Sequence, residues 1–336
     1  MKEIIDLKDK LIHRHANLSF DLSDWNEVVE KSSDVSVYYV KSLVDYYAAY
    51  YNGVNLSFII YDDKKPTAVF PIFMFKEDNN FSFTVNGDGL IGPLFVNNSP
   101  KRLRKRVEMQ IADIIFFLTE HFNTKKLKFF ESSNTLSSWY LLWLKKANKD
   151  YLSYQLAINL EKTLEEIRLS FRKSYKPLVN KALREWDVDV CSKRDMHVFE
   201  EFKLLHKEVS GRQTRNDLSW DIQKKQIQNG EALLITVRNN QSLIGGGFFN
   251  YSKDEAMYSV GAYNRDLFDK PIGHAVQMKA IEKLKELGCK KYNIGEKTTN
   301  LSGRELSEKE KSITHFKEGF AGYIYSQPHI QVCFDE

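Results

Sequence analysis

One succession of secondary-structure elements is predicted twice in this 336-residue chain, at an offset of about 170 residues. Each copy consists of three strands, a helix and a closing strand, identified from alternating apolar residues and from helical spacing. In the first copy these elements lie at residues 55–61, 67–75, 81–85, 103–122 and 126–130. In the second copy they lie at residues 231–237, 243–251, 256–262, 274–287 and 291–294. A repeat of this length indicates two similar domains in tandem, because the units of a solenoid are far shorter.

The mixture of hairpin strands and crossover helices predicts an α/β protein with mixed (α+β) sheets. The first αβ unit ends near residues 150–160, which places an N-terminal domain at 1–155 and a C-terminal domain at 156–336. Each domain is long enough to bury its own core. No low-complexity linker separates the two, so we expect the domains to pack against each other.

The composition is that of a globular protein, with 42% hydrophobic and 13% aromatic residues. A net charge of +4 neither requires nor excludes an anionic partner. The cysteines Cys191, Cys289 and Cys333 form neither a CxxC pair nor a cluster with histidines, so no metal is expected. The charged N-terminus and the absence of a long apolar run predict a cytoplasmic protein that is not inserted in a membrane. The oligomeric state is left open.

The loop before the second helix of the repeat reads Lys270-Pro271-Ile272-Gly273-His274-Ala275. A strand, a glycine-containing loop and a helix direct backbone N–H groups toward an anion at the helix N-terminus. The spacing Lys270-x-x-Gly273-x-Ala275 resembles the pyrophosphate loop of GNAT acyltransferases. That resemblance implies donor binding by Lys270, Ile272, Gly273, His274 and Ala275. Gly273 as a simple turn residue is the alternative.

Several segments, in their order and spacing, resemble the FemABX-type acyltransferases from about Trp25 to Tyr325. They are Ile91-Gly92-Pro93-Leu94, Asn159-Leu160, Leu164 to Arg168, Phe171-Arg172, Asn180-Lys181-Ala182, Tyr258 to Ala262 and His315 to Gly322. The resemblance implies two tandem GNAT-like acyltransferase domains packed together, which transfer an acyl group to an amine. It also implies an amino sugar or a cell-envelope glycan or peptidoglycan precursor as the acceptor.

The sequence leaves two classes of acyl donor open. Acyl-CoA, such as acetyl-CoA, is favoured because the chain lacks the long charged helical hairpin of several tRNA-using members of the family. Aminoacyl-tRNA is the alternative, with the basic segments Lys101–Arg106 and Arg168–Arg184 as its contacts. A third hypothesis is a module that binds RNA or a glycan and has lost its chemistry.

Candidate catalytic residues follow from what amide formation requires, which is removal and delivery of protons and stabilisation of an oxyanion. They are Tyr258 and Tyr263 as proton donors, Glu296 as proton acceptor, and His206. Candidate substrate-binding residues are Arg212 and Arg215, which suit a carboxylate or phosphate, and Lys317 and Gly92 from the resemblance. Each tyrosine has a structural alternative as a core or sheet-edge residue. No nucleophile elbow or Walker loop is present, so we expect direct attack in a ternary complex.

Overall fold

The computed structural model describes residues 2–78, 80–133, 135–194, 196–299 and 306–334. The chain forms two compact units, one of Met1–Leu152 with Gln327–Glu336 and one of Ser153–Ser326. The chain passes from the first unit to the second within the strand Lys149–Asn159, the strand that also contains the predicted boundary at residue 155. It returns to the first unit within its last strand, Tyr323–Cys333.

The first unit combines short sheets with five α-helices and two 3₁₀ turns among its described residues. Its elements are α1 (Lys2–Arg14), β1 (Leu18–Ser19), a 3₁₀ turn (Leu22–Asp24), α2 (Trp25–Glu30), a 3₁₀ turn (Val37–Tyr39), α3 (Lys41–Tyr50), β2 (Val54–Asn55), β3 (Phe58–Asp62), β4 (Lys65–Phe70), β5 (Phe73–Glu77), β6 (Asn80–Thr84), β7 (Leu94–Phe95), α4 (Lys101–His121), β8 (Lys126–Phe130) and α5 (Ser138–Leu144). One sheet has the order β1-β3-β4-β7 and another the order β2-β5-β6. Strand β8 pairs antiparallel with the end of the last strand, His329 opposite Phe130.

The predicted strand over residues 67–75 is divided into β4 and β5, which belong to different sheets. The division falls at Pro71, whose ring nitrogen has no hydrogen to donate to a strand ladder. The next amide, that of Ile72, donates to the Ser57 hydroxyl at 3.0 Å instead of continuing the pairing of β4. The proline therefore turns one predicted strand into a corner between two sheets.

Helix α4 is the long helix that the first copy of the repeat predicts, and it is amphipathic. Its buried face carries Val107, Ile111, Ile114, Ile115 and Leu118. These side chains belong to the same core as Leu127 and Phe129 of β8. The helix and its closing strand therefore contribute to the same hydrophobic core in the first unit.

The second unit is built on one mixed sheet flanked by helices. Its elements are β9 (Lys149–Asn159), α6 (Leu164–Ser170), α7 (Tyr175–Glu185), β10 (Asp187–Val190), α8 (His197–Ser210), α9 (Asp217–Asn229), β11 (Ala232–Asn239), β12 (Ser242–Tyr251), β13 (Glu255–Tyr263), a 3₁₀ turn (Arg265–Leu267), α10 (Ile272–Glu286), β14 (Lys291–Glu296), α11 (Glu308–Glu318) and β15 (Tyr323–Cys333). The strand order is β10-β11-β12-β13-β14-β9. Neighbours are antiparallel except β13 and β14, which are parallel and are joined through α10. The predicted mixed α/β class and the repeated order of elements are confirmed.

Helix α10 occupies the centre of the second core. Ala275, Met278, Ile281 and Leu284 are each at most 1% exposed and pack in one cluster with Tyr292. The basic segment Arg168–Arg184 is divided between two helices, α6 and α7, which are separated at residues 171–174. Pro177 lies in the first turn of α7, where a missing N–H costs no intrahelical hydrogen bond.

Candidate functional site

Strands β13 and β14 separate partway along their length. Their parallel pairing joins Glu255–Met257 to Lys291–Asn293, and no further pair between them occurs among the described residues. Beyond that point β14 stays paired with β9, with Glu296 opposite Gln155, while β13 continues to Tyr263. Parallel strands that separate leave backbone N–H and C=O groups unpaired along the facing edges. We call residues 258–263 the open edge of β13.

A β-bulge lies where the open edge begins. Phe248 is opposite Val260 and Phe249 is opposite Tyr258, so Ser259 is an extra residue in β13. The Ser259 hydroxyl donates to Asn250 Oδ1 at 2.7 Å, and Asn250 Nδ2 donates to Gln226 Oε1 at 3.1 Å. Asn250 and Gln226 are both buried. Because a bulge bends its strand, this hydrogen-bonded chain fixes the place where β13 turns away from β14.

An ion pair joins β13 and β14 at the start of the segment in which they are paired. Lys291 Nζ lies 2.9 Å from Glu255 Oε1 and 4.3 Å from the centre of the Tyr325 ring. Burial acts to lower the pKa of Lys291, but the Glu255 carboxylate and the Tyr325 hydroxyl outweigh burial and raise it. Lys291 is therefore a cation at neutral pH, and it joins the first paired residues of β13 and β14, two residues before the strands separate.

Two tyrosine hydroxyls meet at the open edge of β13. Tyr258 Oη and Tyr263 Oη are 2.8 Å apart, and the Tyr258 ring stacks on Phe249. Burial raises the pKa of Tyr258 to about 12 and that of Tyr263 well above its usual value, so both are neutral phenols. The pair contains two O–H hydrogens and needs one for the mutual hydrogen bond. The second hydrogen remains available to an acceptor at this edge.

Gly261 lies between the two tyrosines and is exposed. A Cβ atom at this position would come 1.9 Å from Tyr258 Oη. The glycine is therefore required by the close approach of the hydroxyl to the strand, because any side chain there would displace the Tyr258 ring.

The N-terminus of α10 uses its own backbone to satisfy its first amides. The N–H of Ile272 donates to Lys270 O at 2.9 Å, and the N–H groups of His274 and Ala275 donate to Pro271 O at 3.0 and 3.4 Å. Pro271 itself has no N–H group. The predicted loop would bind the pyrophosphate of CoA through these amides, and only the Gly273 amide remains for it. Three of the four amides from Ile272 to Ala275 therefore already have backbone acceptors.

Aromatic side chains cover the same helix end. The His274 ring lies 4.4 Å from Tyr175, 5.2 Å from Phe316 and 5.5 Å from Phe320, measured between ring centres. Burial lowers the pKa of His274 to about 4, so the ring is neutral at pH 7. Its buried Nε2 has no hydrogen-bond partner among the described residues. A Cβ on Gly273 would come 3.0 Å from Phe316 and 3.6 Å from Tyr263, which places both rings beside this loop.

Lys317 and Glu296 lie together over the end of β14. A Cβ on Gly295 would come 2.4 Å from Lys317 Nζ, so the ammonium lies directly over this residue. Gly295 has φ +126°, a conformation that other residues rarely adopt. Burial lowers the pKa of Lys317, and the Glu296 carboxylate opposes that effect. A partly desolvated cation is thus held beside a carboxylate, next to the aromatic residue Phe316.

The other predicted residues of this unit surround a separate pocket of about 130 Å³ between α8 and α9. His206, Arg212, Thr214 and Trp220 line it. Arg215 Nη1 donates to His206 Nε2 at 3.1 Å, and the guanidinium lies 5.3 Å from the centre of the Trp220 ring. Burial, followed by the Arg215 charge, lowers the pKa of His206 to about 4.

The hydrogen bond from Arg215 uses the lone pair that His206 would need as a proton acceptor. We therefore give His206 the role of positioning Arg215.

Of the remaining predicted residues, Lys270 is exposed and 3.1 Å from Asp269. Gly92 lies in the first unit, where its carbonyl accepts a hydrogen bond from Tyr39 Oη at 2.8 Å. A Cβ on Gly92 would meet the Trp139 ring at 3.2 Å, so packing alone accounts for this glycine.

Acid is expected to destabilise the fold through its buried histidines. Burial lowers the pKa of His206, His274 and His329 to about 4. The unfolded chain binds these protons below about pH 6.5 and the folded chain only near pH 4, so the free energy of unfolding falls as the pH falls through that interval. Urea unfolding at a series of pH values measures the fall. We expect it to be shallower in His274→Leu, while the exposed His197→Gln follows the wild type; equal slopes for all three would contradict this origin.

Tyr258, Tyr263, Gly273 and Lys317 were predicted from the sequence, whereas three of their neighbours were not. Ser259 was missed because a bulge depends on the register of two strands. Tyr175 and Phe316 were missed as contacts of Gly273 and His274, although Phe316 lies in the segment His315 to Gly322 that carries the resemblance.

In the described part of the chain, no group of three or more His, Cys, Asp or Glu residues could hold a metal ion. No helix of that part is long and apolar enough to cross a membrane.

The fold is similar to that of several solved structures. The crystal structure of FemX matches with a TM-score of 0.68 and 13% identity, over 92% of this chain and 96% of that one. L-PGS from Bacillus licheniformis matches with a TM-score of 0.62 and 13% identity, over 94% and 93%. The C-terminal domain of a protein from Agrobacterium fabrum named as a lysylphosphatidylglycerol synthetase matches with 0.58 and 11%, over 91% and 92%. At these identities the likeness establishes the fold alone, which is the FemX-like fold predicted from the sequence.

No protein-family model and no curated protein sequence matches the chain.

Proposed function

We propose that this protein is an acyltransferase that joins an acyl group to an amine at the open edge of β13. The observation that carries the proposal is the separation of β13 from β14 with the Tyr258–Tyr263 pair at the opening. Neutral hydroxyls on β13 and a cation over the end of β14 suit a reaction in which negative charge develops on oxygen. The fold shared with FemX is consistent with this chemistry.

The reaction needs two proton movements. The amine nitrogen attacks the carbonyl carbon, a C–N bond forms, and the bond from carbon to the leaving oxygen or sulfur breaks. The nitrogen loses one proton and the leaving atom gains one. We propose that the tyrosine pair donates to the leaving atom the hydroxyl proton that it does not use in its mutual hydrogen bond. We propose that Glu296 accepts the proton of the amine. Lys317 stabilises negative charge on the carbonyl oxygen, because a partly buried cation acts strongly in a low dielectric.

We propose an aminoacyl-tRNA as the donor, which reverses the preference for acyl-CoA drawn from the sequence. The internal hydrogen bonds of Ile272, His274 and Ala275 leave few amides for a CoA pyrophosphate. The name of the similar Agrobacterium protein, a lysylphosphatidylglycerol synthetase, also indicates transfer of an aminoacyl group. Acyl-CoA is the second candidate, because GNAT-like enzymes hold their thioester beside the strand that corresponds to β13.

For the acceptor we propose an amine that also carries a phosphate or carboxylate, as amino-sugar and cell-envelope precursors do. The pocket between α8 and α9 supports this, because Arg212 lines it and Arg215 contacts two of its lining residues, His206 and Trp220. Guanidinium groups recognise such anions through paired hydrogen bonds.

A donor comparison tests the proposal. The protein is incubated with a fractionated pool of small amines and envelope precursors and with either tRNA charged with labelled amino acids or labelled acetyl-CoA. Amide-linked label is then identified by mass spectrometry. We expect label from aminoacyl-tRNA. Label from acetyl-CoA alone would select the second donor, and no amide from either would favour the module that binds RNA or a glycan without catalysis.

A single methyl group at the open edge is expected to lower activity sharply. In Gly261→Ala the new Cβ would occupy the position of Tyr258 Oη, so the Tyr258–Tyr263 hydrogen bond must break. We expect the rate of transfer to fall by about tenfold or more, as for loss of a positioned proton donor. Gly322→Ala is the matched control, because that glycine is also exposed and its Cβ would find ordinary contacts at 3.7 Å. Equal activity of the two variants would remove the tyrosine pair from the mechanism.

A further inference from the structure

The start of α4 concentrates positive charge on one surface of the first unit. Lys101, Arg102, Arg104, Lys105 and Arg106 lie in its first two turns, and its first turn contains no acidic residue. The N-cap is Pro100, which supplies no side-chain hydrogen bond. Cations at this end of a helix oppose the helix dipole and are unfavourable by a few tenths of a kcal/mol each. The isolated protein therefore carries an electrostatic cost at this position.

Two of these cations have contacts that fix the geometry of the surface. Arg104 donates to Ser99 O at 3.2 Å and lies over the Phe95 ring. Arg106 pairs with Asp62 at the end of β3. That ion pair brings the β3–β4 turn, with the exposed residues Lys64 and Lys65, beside the helix.

The remaining cations of the helix face solvent. Lys101, Arg102 and Lys105 are exposed and make no hydrogen bond or ion pair to a described residue. The nearest acidic residue along the helix, Glu108, is buried and accepts a hydrogen bond from Ser138 at 2.6 Å. Burial raises the pKa of Glu108, whereas the Ser138 hydrogen bond and the Arg104 charge act to lower it, so the cation that Glu108 interacts with is Arg104. We name the side chains of Lys64, Lys65, Lys101, Arg102, Lys105 and Arg106 the α4 basic surface.

We infer that the α4 basic surface binds the phosphodiester backbone of RNA. The inference rests on the proposed function and extends it, because an aminoacyl-tRNA donor presents many phosphates beyond its reactive end. Among the described residues of the first two and a half turns of α4, Met109 is the exposed large apolar side chain. A surface that docks on a lipid bilayer combines cations with several apolar side chains. A surface that is charged and has so little apolar area suits RNA. Cations bind the phosphates of RNA, and this binding releases counterions.

The test compares two triple variants that have the same net charge. The first is Lys101→Gln/Arg102→Gln/Lys105→Gln. The control is Lys145→Gln/Lys162→Gln/Lys225→Gln, which removes three exposed cations that lie outside both basic segments. Binding of unfractionated tRNA is measured over a range of salt concentrations. We expect the slope of log K against log salt to fall by about 2 to 3 in the first variant, and affinity at low salt to fall at least tenfold.

The outcomes separate the inference from the proposed function, because binding is measured without turnover. Equal slopes for the first variant and the wild type overturn the inference even if amide is formed from aminoacyl-tRNA. Equal losses in the two variants overturn it as well, since net charge would explain them. A first variant that loses binding to phosphatidylglycerol vesicles but keeps tRNA binding assigns the surface to lipid. Thermal unfolding serves as the folding check, and removal of dipole repulsion is expected to leave the first variant at least as stable as the wild type.

Discussion

Replacement of Lys317 by methionine is expected to lower the rate of acyl transfer by about 10²- to 10³-fold, the usual effect of removing one stabilising group from an oxyanion. The lysine ammonium lies over Gly295 and beside Glu296, and burial lowers its pKa. Methionine keeps most of the aliphatic stem and removes the charge. We expect the fold to be retained, because the removed cation was itself unfavourable to bury.

The control for this prediction is Lys311→Met on the same helix. Lys311 is half exposed and pairs with Glu308 on the surface, so its loss should change neither rate nor stability measurably. Transfer of labelled aminoacyl groups is measured under single-turnover conditions, with thermal unfolding of each variant. A Lys317→Met variant that is folded and transfers at the wild-type rate would show that another group stabilises the oxyanion.

The second large effect is expected on stability, at the start of the short segment in which β13 and β14 are paired. Lys291→Met should lower the free energy of unfolding by about 3 kcal/mol, because it leaves the Glu255 carboxylate poorly solvated and without its cation. The two side chains are 22% and 11% exposed, and their ion pair is 2.9 Å long. Urea unfolding measures the loss.

Two further variants test the origin of this loss. Lys290→Met removes the neighbouring ion pair to Asp254, in which the lysine is 52% exposed, and should cost less than about 1 kcal/mol. The double variant Lys291→Met/Glu255→Met should recover much of the stability, because it removes both buried charges. If the double variant is less stable than Lys291→Met alone, packing of the lysine stem rather than the charge on Glu255 accounts for the effect.

The sequence predicted most of the fold because its elements depend on local patterns. Helix α10 has apolar residues at helical spacing from Ala275 to Leu284, and β8 was predicted at the residues where it lies. The repeated order of strands and helices also predicted the tandem architecture. The division of a strand at Pro71 was missed, although proline in a predicted strand is a warning that can be read from sequence alone.

The chemistry of the site was harder to predict because it depends on contacts between distant segments. The loop at Gly273 has the spacing of a phosphate site, yet its amides bond to Lys270 and Pro271. His206 has the chemistry of a base, yet Arg215 occupies its acceptor nitrogen. Motif spacing specifies which groups are present, whereas their availability is decided by hydrogen bonds that spacing does not encode.

The central claim is that the donor's reactive end lies at the open edge of β13. Hydrogen exchange measured with and without a short RNA ending in a 3′-aminoacylamino adenosine, which cannot transfer its aminoacyl group, tests this claim most directly. The account predicts slower exchange of backbone amides at residues 258–263 and in α11 around Lys317. Slower exchange confined to α8 and α9, around the pocket of Arg212, would contradict it.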